Sequence, residues 1–86
     1  MHEMTIAQEI CRIARERVGV DACHRMVAVG VDIGNDAGIE PDNLLFWLEV
    51  LLSEAPFGRA SPVLRRGHGN DLRITYLEVE DGGPED

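Results

Sequence analysis

Lysine is absent from this 86-residue chain, and apart from histidine all of its basic charge comes from arginine. Acidic residues outnumber arginine by 16 to 8, which gives a formal net charge of -8 at pH 7. Proteins bind phosphate groups with basic surfaces. The charge balance therefore argues against nucleic acid and against anionic membrane surfaces as partners.

Long apolar runs and zinc-type cysteine pairs are also missing. The longest apolar run, Leu44–Leu48, is far too short to cross a bilayer. No apolar segment typical of a secretory signal follows Met1, so we expect a cytoplasmic protein. Cys11 and Cys23 match no zinc signature, and no Cys-x-x-Cys pair occurs, so no zinc is expected.

Hydrophobic periodicity divides the chain into five elements. We expect a helix from about Thr5 to Val18, a strand over Met26–Ile33, a helix from Pro41 to about Ser53, and strands over about Ala60–Arg66 and Leu72–Val79. This α-β-α-β-β order predicts an α+β fold with two helices packed on one face of a three-stranded mixed sheet. Residues 1–80 are expected to form a single domain, and the acidic tail of residues 81–86 is expected to be disordered.

Local signals predict finer features of these elements. Thr5 followed by Gln8 matches a capping box at the start of the first helix. Pro62 cannot donate a ladder hydrogen bond, which favours an edge position for its strand and would leave the last strand between the other two. The glycine-rich segment Gly67–Asp71 predicts a hairpin loop joining the last two strands.

The predicted core comes from one face of each element. A bulge near Thr75-Tyr76 would bring apolar residues of opposite parity in the last strand onto the same side of the sheet. Phe57 is expected to fill the core after the second helix. The other expected core residues are Ile6, Ile10, Ile13, Val27, Val29, Val31, Leu44, Leu48, Leu51, Ile74, Leu77 and Val79.

The first three residues, Met1-His2-Glu3, have the donors of a metal chelate. A terminal amine, the backbone nitrogens of His2 and Glu3, and the His2 imidazole can offer four nitrogens in one plane. Tetragonal nitrogen ligation suits Ni(II) or Cu(II) better than Zn(II). The donors are consecutive along the chain, so this site needs little help from the rest of the fold.

Other candidate residues have weaker contexts. Cys11 is expected to be a small buried hydrophobe within the first helix. Cys23 and His24 could form a metal pair in a loop, but His24 is expected to be a surface residue before the first strand. His68 is expected to be a solvated loop residue. No grouping of residues suggests nucleophilic or acid-base catalysis, so we do not expect an enzyme.

The order of several motifs resembles the HypA/HybF family of hydrogenase and urease nickel metallochaperones. Met1–Ile6 resembles the family's Met-His-Glu opening and the start of its first helix. Val29–Gly34 resembles its strand ending in Ile-Gly, and Gly38–Leu51 resembles its Val-Glu-Pro turn and Phe-Glu-Val-Leu helix. Leu72–Glu80 is similar to its closing strand. The weakest part of the resemblance is Pro56–Asn70.

The sequence departs from this family at one place. Family members carry a zinc domain with two Cys-x-x-Cys pairs between the last two strands, and here the short Gly67–Asp71 segment takes its place. The resemblance therefore implies a HypA-like protein that lacks the zinc domain. Any step that relies on that domain becomes doubtful.

The resemblance assigns nickel ligands to the first three residues. Met1 would bind Ni(II) through its amine, His2 through backbone and imidazole nitrogens, and Glu3 through its backbone nitrogen. Glu40 matches an acidic family position and is either a neighbour of the metal or simply a carboxylate suited to the start of the second helix. The implied cargo is transiently bound Ni(II).

The resemblance also implies partners and a role. The partners would be a nickel-handling GTPase and the large subunit of a [NiFe]-hydrogenase, whose maturation the protein would assist. The alternative is a zinc-domain-less paralogue that docks on a hydrogenase subunit or maturation factor without carrying nickel. An exposed sheet edge and an acidic surface would serve that second role.

Overall fold

A computed structural model of the protein describes residues 2–80. The elements are α1 (Glu3–Val18), a 3₁₀ helix (Val20–Arg25), β1 (Met26–Gly34), α2 (Pro41–Leu52), β2 (Ser61–Gly67) and β3 (Leu72–Val79). The helices α1 and α2 pack together and against one face of a mixed sheet, which confirms the predicted α+β class. The short 3₁₀ helix replaces an expected loop. The expected disordered tail lies outside the described residues.

Helix α1 begins earlier than the sequence predicts. The first helical residue is Glu3, and His2 is the N-cap with φ -78° and ψ 134°. The predicted capping box at Thr5 is therefore wrong, because Thr5 already lies inside the first turn. An acidic residue in that turn suits the positive end of the helix dipole, and Glu3 supplies it.

The strand order corrects a second prediction. The order is β2-β1-β3, so β1 is central and β3 is an edge strand. β2 is the other edge, as Pro62 indicated, and it runs parallel to β1. β3 runs antiparallel to β1 and does not pair with β2.

The segment Gly67–Asp71 is consequently not a hairpin loop but a bridge across the end of β1. Strands two positions apart are separated by about 10 Å, which five residues of about 3.3 Å each can span. The bridge is fastened to the end of β1 and the turn after it by three backbone hydrogen bonds: Gly34 N–H to the Asp71 carbonyl at 2.7 Å, Asn35 N–H to the Gly67 carbonyl at 2.8 Å, and Asp36 N–H to the Gly69 carbonyl at 2.8 Å.

Two irregularities in the sheet determine which side chains face the helices. In β3, Ile74 is opposite Val31 and Tyr76 is opposite Gly30, so Thr75 is an extra residue and the predicted bulge is confirmed. A second irregularity lies at Val27 in β1. As a result Val27 is only half-buried, contrary to the prediction, and Met26 takes its place in the core.

The core lies between the sheet and the two helices. Phe57 is 4% exposed and fills the core as predicted, whereas Ile13 is half-buried and lies at the margin of the core rather than within it. The expected core positions Leu51, Ile74 and Leu77 are partly buried and pack against it. The largest fully buried side chains are Met26, Val29, Val31, Ile33, Leu44, Leu48 and Leu52. Among the described residues, no helix is long and apolar enough to cross a membrane.

Candidate metal centre

The start of α1 leaves backbone nitrogens available. The first N–H groups of a helix have no partner within the helix. His2 is the N-cap and Glu3 is the first helical residue, so both of their amides precede the first helical hydrogen bond, in which Ile6 N–H donates to the His2 carbonyl at 3.2 Å. The His2 side chain is exposed. The two amides and the imidazole can therefore be reached by a metal without unwinding the helix.

The Glu3 carboxylate connects the start of α1 to the start of α2. Its Oε2 accepts a hydrogen bond from the Glu40 backbone N–H at 3.0 Å. This bond, with a smaller contribution from the Glu3 amide, lowers the pKa of the Glu3 carboxyl below its ordinary value. The sequence did not reveal this contact, because its partners lie far apart along the chain.

Glu40 is adjacent to Glu3 and also caps the second helix. It is the N-cap of α2, its Oε1 accepts a hydrogen bond from Asp42 N–H at 3.2 Å, and its side chain is exposed. Pro41 follows at the first helical position, where a missing N–H costs nothing. The capping bond explains Glu40 as a structural residue, and its backbone N–H is the group that contacts the Glu3 carboxylate.

The predicted chelate is only partly within the described residues. The terminal amine belongs to Met1, which lies outside them. Within residues 2–80, no three His, Cys, Asp or Glu side chains come together in a group that could hold a metal ion. The candidate centre is of another kind, because three of its four donors are a terminal amine and two backbone amides.

The remaining candidates are either buried cysteines or exposed histidines. Cys11 is 4% exposed, and burial raises the pKa of its thiol to about 11, so it is a protonated core residue at neutral pH. Cys23 is fully buried in the 3₁₀ helix, and burial raises its thiol pKa as well. His24 and His68 are both exposed, as expected for surface residues.

The fold and this N-terminus define a class: a two-layer α+β protein whose first helix begins within a set of nitrogen donors suited to Ni(II) or Cu(II). The family model described as "Hydrogenase/urease nickel incorporation, metallochaperone, hypA" matches residues 1–69. The chain belongs to this HypA family of nickel metallochaperones, which confirms the resemblance seen in the sequence. The match ends within the bridge between β2 and β3.

A solved structure has the same fold. The solution structure of the Ni metallochaperone HypA from Helicobacter pylori superimposes with a TM-score of 0.75, covering 92% of this chain and 97% of that one. The two sequences are 13% identical, so this likeness concerns the fold alone. A search of curated protein sequences finds no match.

Proposed function

We propose that this protein carries Ni(II) and delivers it during maturation of a [NiFe]-hydrogenase. Membership of the HypA family supports a role in nickel incorporation into hydrogenase or urease. The single observation that carries the assignment of ligands is the start of α1 at Glu3, which leaves the His2 and Glu3 amides outside the helical hydrogen bonds. With the Met1 amine and the His2 imidazole, they form the proposed four-nitrogen set.

The proposed chemistry is ligand exchange without redox change. Each backbone amide that binds Ni(II) must lose its proton, so nickel affinity falls as the pH falls. If two amide protons leave per nickel, affinity changes by about a hundredfold per pH unit through linkage alone. Acidification or a competing set of ligands on the client would therefore release the metal.

The Glu3 carboxylate has a separate, positioning role in this proposal. Its bond to the Glu40 N–H holds the first turn of α1 against the start of α2. In this proposal the exposed Glu40 carboxylate is a neighbour of the bound metal. A negative side chain there favours an approaching cation without replacing a nitrogen ligand.

The proposed setting follows from the family and from the missing zinc domain. Partners would be the nickel-handling GTPase of the maturation system and the hydrogenase large subunit, in the cytoplasm. Residues 1–80 would act as one nickel-binding domain with no structural zinc. The bridge Gly67–Asp71 supports this last point, since it closes the fold with its own backbone hydrogen bonds where the family carries its zinc domain.

The alternative function is an interaction module that docks on a hydrogenase subunit or maturation factor without carrying nickel. The specific observation in its favour is β3, an edge strand bordered by an apolar groove. Such an edge can accept a strand from another protein. The interaction-module function differs from the carrier function because it does not require His2.

Rescue of hydrogenase activity in cells lacking their own HypA-family protein distinguishes the two functions. The variant is His2→Gln, which keeps a large second residue so that Met1 is retained, and its matched control is His24→Gln. We expect His2→Gln to fail at limiting nickel and to recover when nickel is added, while His24→Gln rescues fully. Full rescue by His2→Gln at limiting nickel would overturn the carrier function and favour the module.

A further inference from the structure

The outer edge of β3 borders an open apolar groove. The groove lies between α1 and β3 and has a volume of about 750 Å³. Its walls include Ile10 and Ile13 from the helix and Leu72, Ile74 and Leu77 from the strand. All of these strand residues are only half-buried. Within residues 2–80, β3 pairs with β1 alone, so its other edge has no strand partner.

The bulge gives β3 a symmetric pattern of faces. Within β3, four residues are half-buried and face inward, and the other four are exposed. The half-buried residues are Leu72, Ile74, Leu77 and Val79, and their positions are symmetric about the middle of the strand. A regular strand of eight residues would alternate throughout and would read differently when reversed. The extra residue Thr75 therefore places the inward positions of β3 symmetrically, so that they match the inward positions of a reversed copy.

We propose that β3 pairs with β3 of a second copy of this chain in the antiparallel direction. The two-fold axis that relates the two copies passes between Thr75 and Tyr76. Directly opposite residues in antiparallel strands point to the same face. In this register Leu72 faces Val79, and Ile74 faces Leu77, each across the axis on the inward side. The partner for the groove is thus a second copy, joined in one six-stranded sheet.

The charges of β3 fit the same register. Arg73 lies opposite Glu78 of the second copy, and the symmetry repeats this pair, so the interface contains opposite charges and no like-charged pair within the strand. Both side chains are exposed in the single chain. The net charge of -8 opposes association at long range, but a salt concentration of 0.15 M limits this repulsion to a Debye length of about 8 Å.

The pairing also accounts for the groove. A two-fold axis perpendicular to an extended sheet places the α1 helices of both copies on the same face. The inward residues Ile74 and Leu77 of the second copy then lie beside the groove and beside Ile13, the apolar residue of α1 left at the core margin. Burial of these half-exposed side chains supplies the attraction, and the charges determine the register.

Sedimentation equilibrium of the untagged full chain in 0.15 M NaCl tests this proposal. Arg73→Glu and Glu78→Arg should each weaken the dimer by about tenfold or more, because each places like charges opposite each other twice. The double variant exchanges the charges and should restore the dimer. The matched control is Arg65→Glu, an equal charge change beside the same Asp32 on the opposite edge strand, and it should leave the dimer intact.

Circular dichroism melts are used to check whether each variant is folded. Arg73→Glu loses the ion pair between Arg73 and Asp32. If it fails to fold for that reason, Glu78→Arg is the variant whose dimerisation is measured, since Glu78 has no ion pair among residues 2–80. A wild-type chain that stays monomeric over the whole concentration range overturns the proposal. So does a folded double variant that stays monomeric, or a dimer that neither single variant weakens.

Discussion

Glu3 contributes to the site through two different groups. Its backbone nitrogen belongs to the proposed nickel chelate, and its carboxylate accepts the Glu40 amide at 3.0 Å. The first role was visible in the sequence, because a chelate of consecutive residues is local. The second was not, because it depends on how the two helices approach each other.

The buried thiol of Cys11 makes the free energy of unfolding depend on pH. Its thiol pKa is about 11 in the folded protein against an ordinary value of 9.0, because burial disfavours the thiolate. Between these values the unfolded chain has released the proton and the folded chain has not, so the free energy of unfolding falls as pH rises. We expect Cys11→Ala to have a flatter stability profile than the wild type from pH 9 to 11 in urea titrations. Parallel profiles would contradict this cause.

The bridge between β2 and β3 lies against the end of β1. A Cβ on Gly34 would lie 2.3 Å from the Gly69 carbonyl oxygen, whereas a Cβ on Gly67 would meet nothing within 4 Å. The close approach allows the bridge to hydrogen-bond to the end of β1. It explains why glycine is needed at Gly34 for packing and not for its backbone angles.

Replacement of Gly34 tests this packing. We expect Gly34→Ala to lower the free energy of unfolding by about 2 kcal/mol, because backbone atoms must move to admit the methyl group. Gly67→Ala is the matched control and should change stability little. Urea unfolding of both variants measures the difference. Equal changes in the free energy of unfolding for the two variants would show that the bridge is not closely packed against Gly34.

Element positions were predictable from the sequence, but their neighbours were not. Periodicity located both helices and all three strands, and the parity break in β3 revealed the bulge at Thr75. Pro62 correctly indicated an edge strand. The predicted strand order was wrong because a short glycine-rich segment fits either a hairpin or a bridge. The choice depends on tertiary contacts, such as the close approach of Gly34 to Gly69, that the sequence does not reveal.

We predict that the fold of the whole protein does not depend on zinc. The core between the sheet and two helices consists of apolar side chains, and the bridge is closed by backbone hydrogen bonds. A structural metal would contribute folding free energy directly. We therefore expect the same melting temperature with and without EDTA. A large fall with EDTA would reveal a structural metal, and replacement of Cys23, His24 and His68 would then locate it.

The negative charge of the whole molecule must be separated from the effect of the proposed metal site. A net charge of -8 attracts any divalent cation weakly, so bulk nickel binding alone proves nothing. A measurement that removes the N–H of one backbone nitrogen distinguishes the chelate from general attraction, because an amide without a proton to lose cannot bind Ni(II) in this way. Glu3 permits such a change because it is the first residue of α1.

The most direct test is a Ni(II) titration of the untagged variants Glu3→Pro and Glu3→Ala. Calorimetry measures the affinity, and the absorption band of square-planar nickel reports the ligand geometry. Proline suits the first helical position, and His2 at φ -78° and ψ 134° already has the conformation that precedes proline. Both variants lose the carboxylate, but only Glu3→Pro loses the backbone N–H. We predict that Glu3→Ala keeps the square-planar band, whereas Glu3→Pro loses it and binds Ni(II) more than about a hundredfold less tightly, beyond what loss of an outer-shell partner costs. Wild-type affinity and spectrum in a folded Glu3→Pro variant would contradict the account.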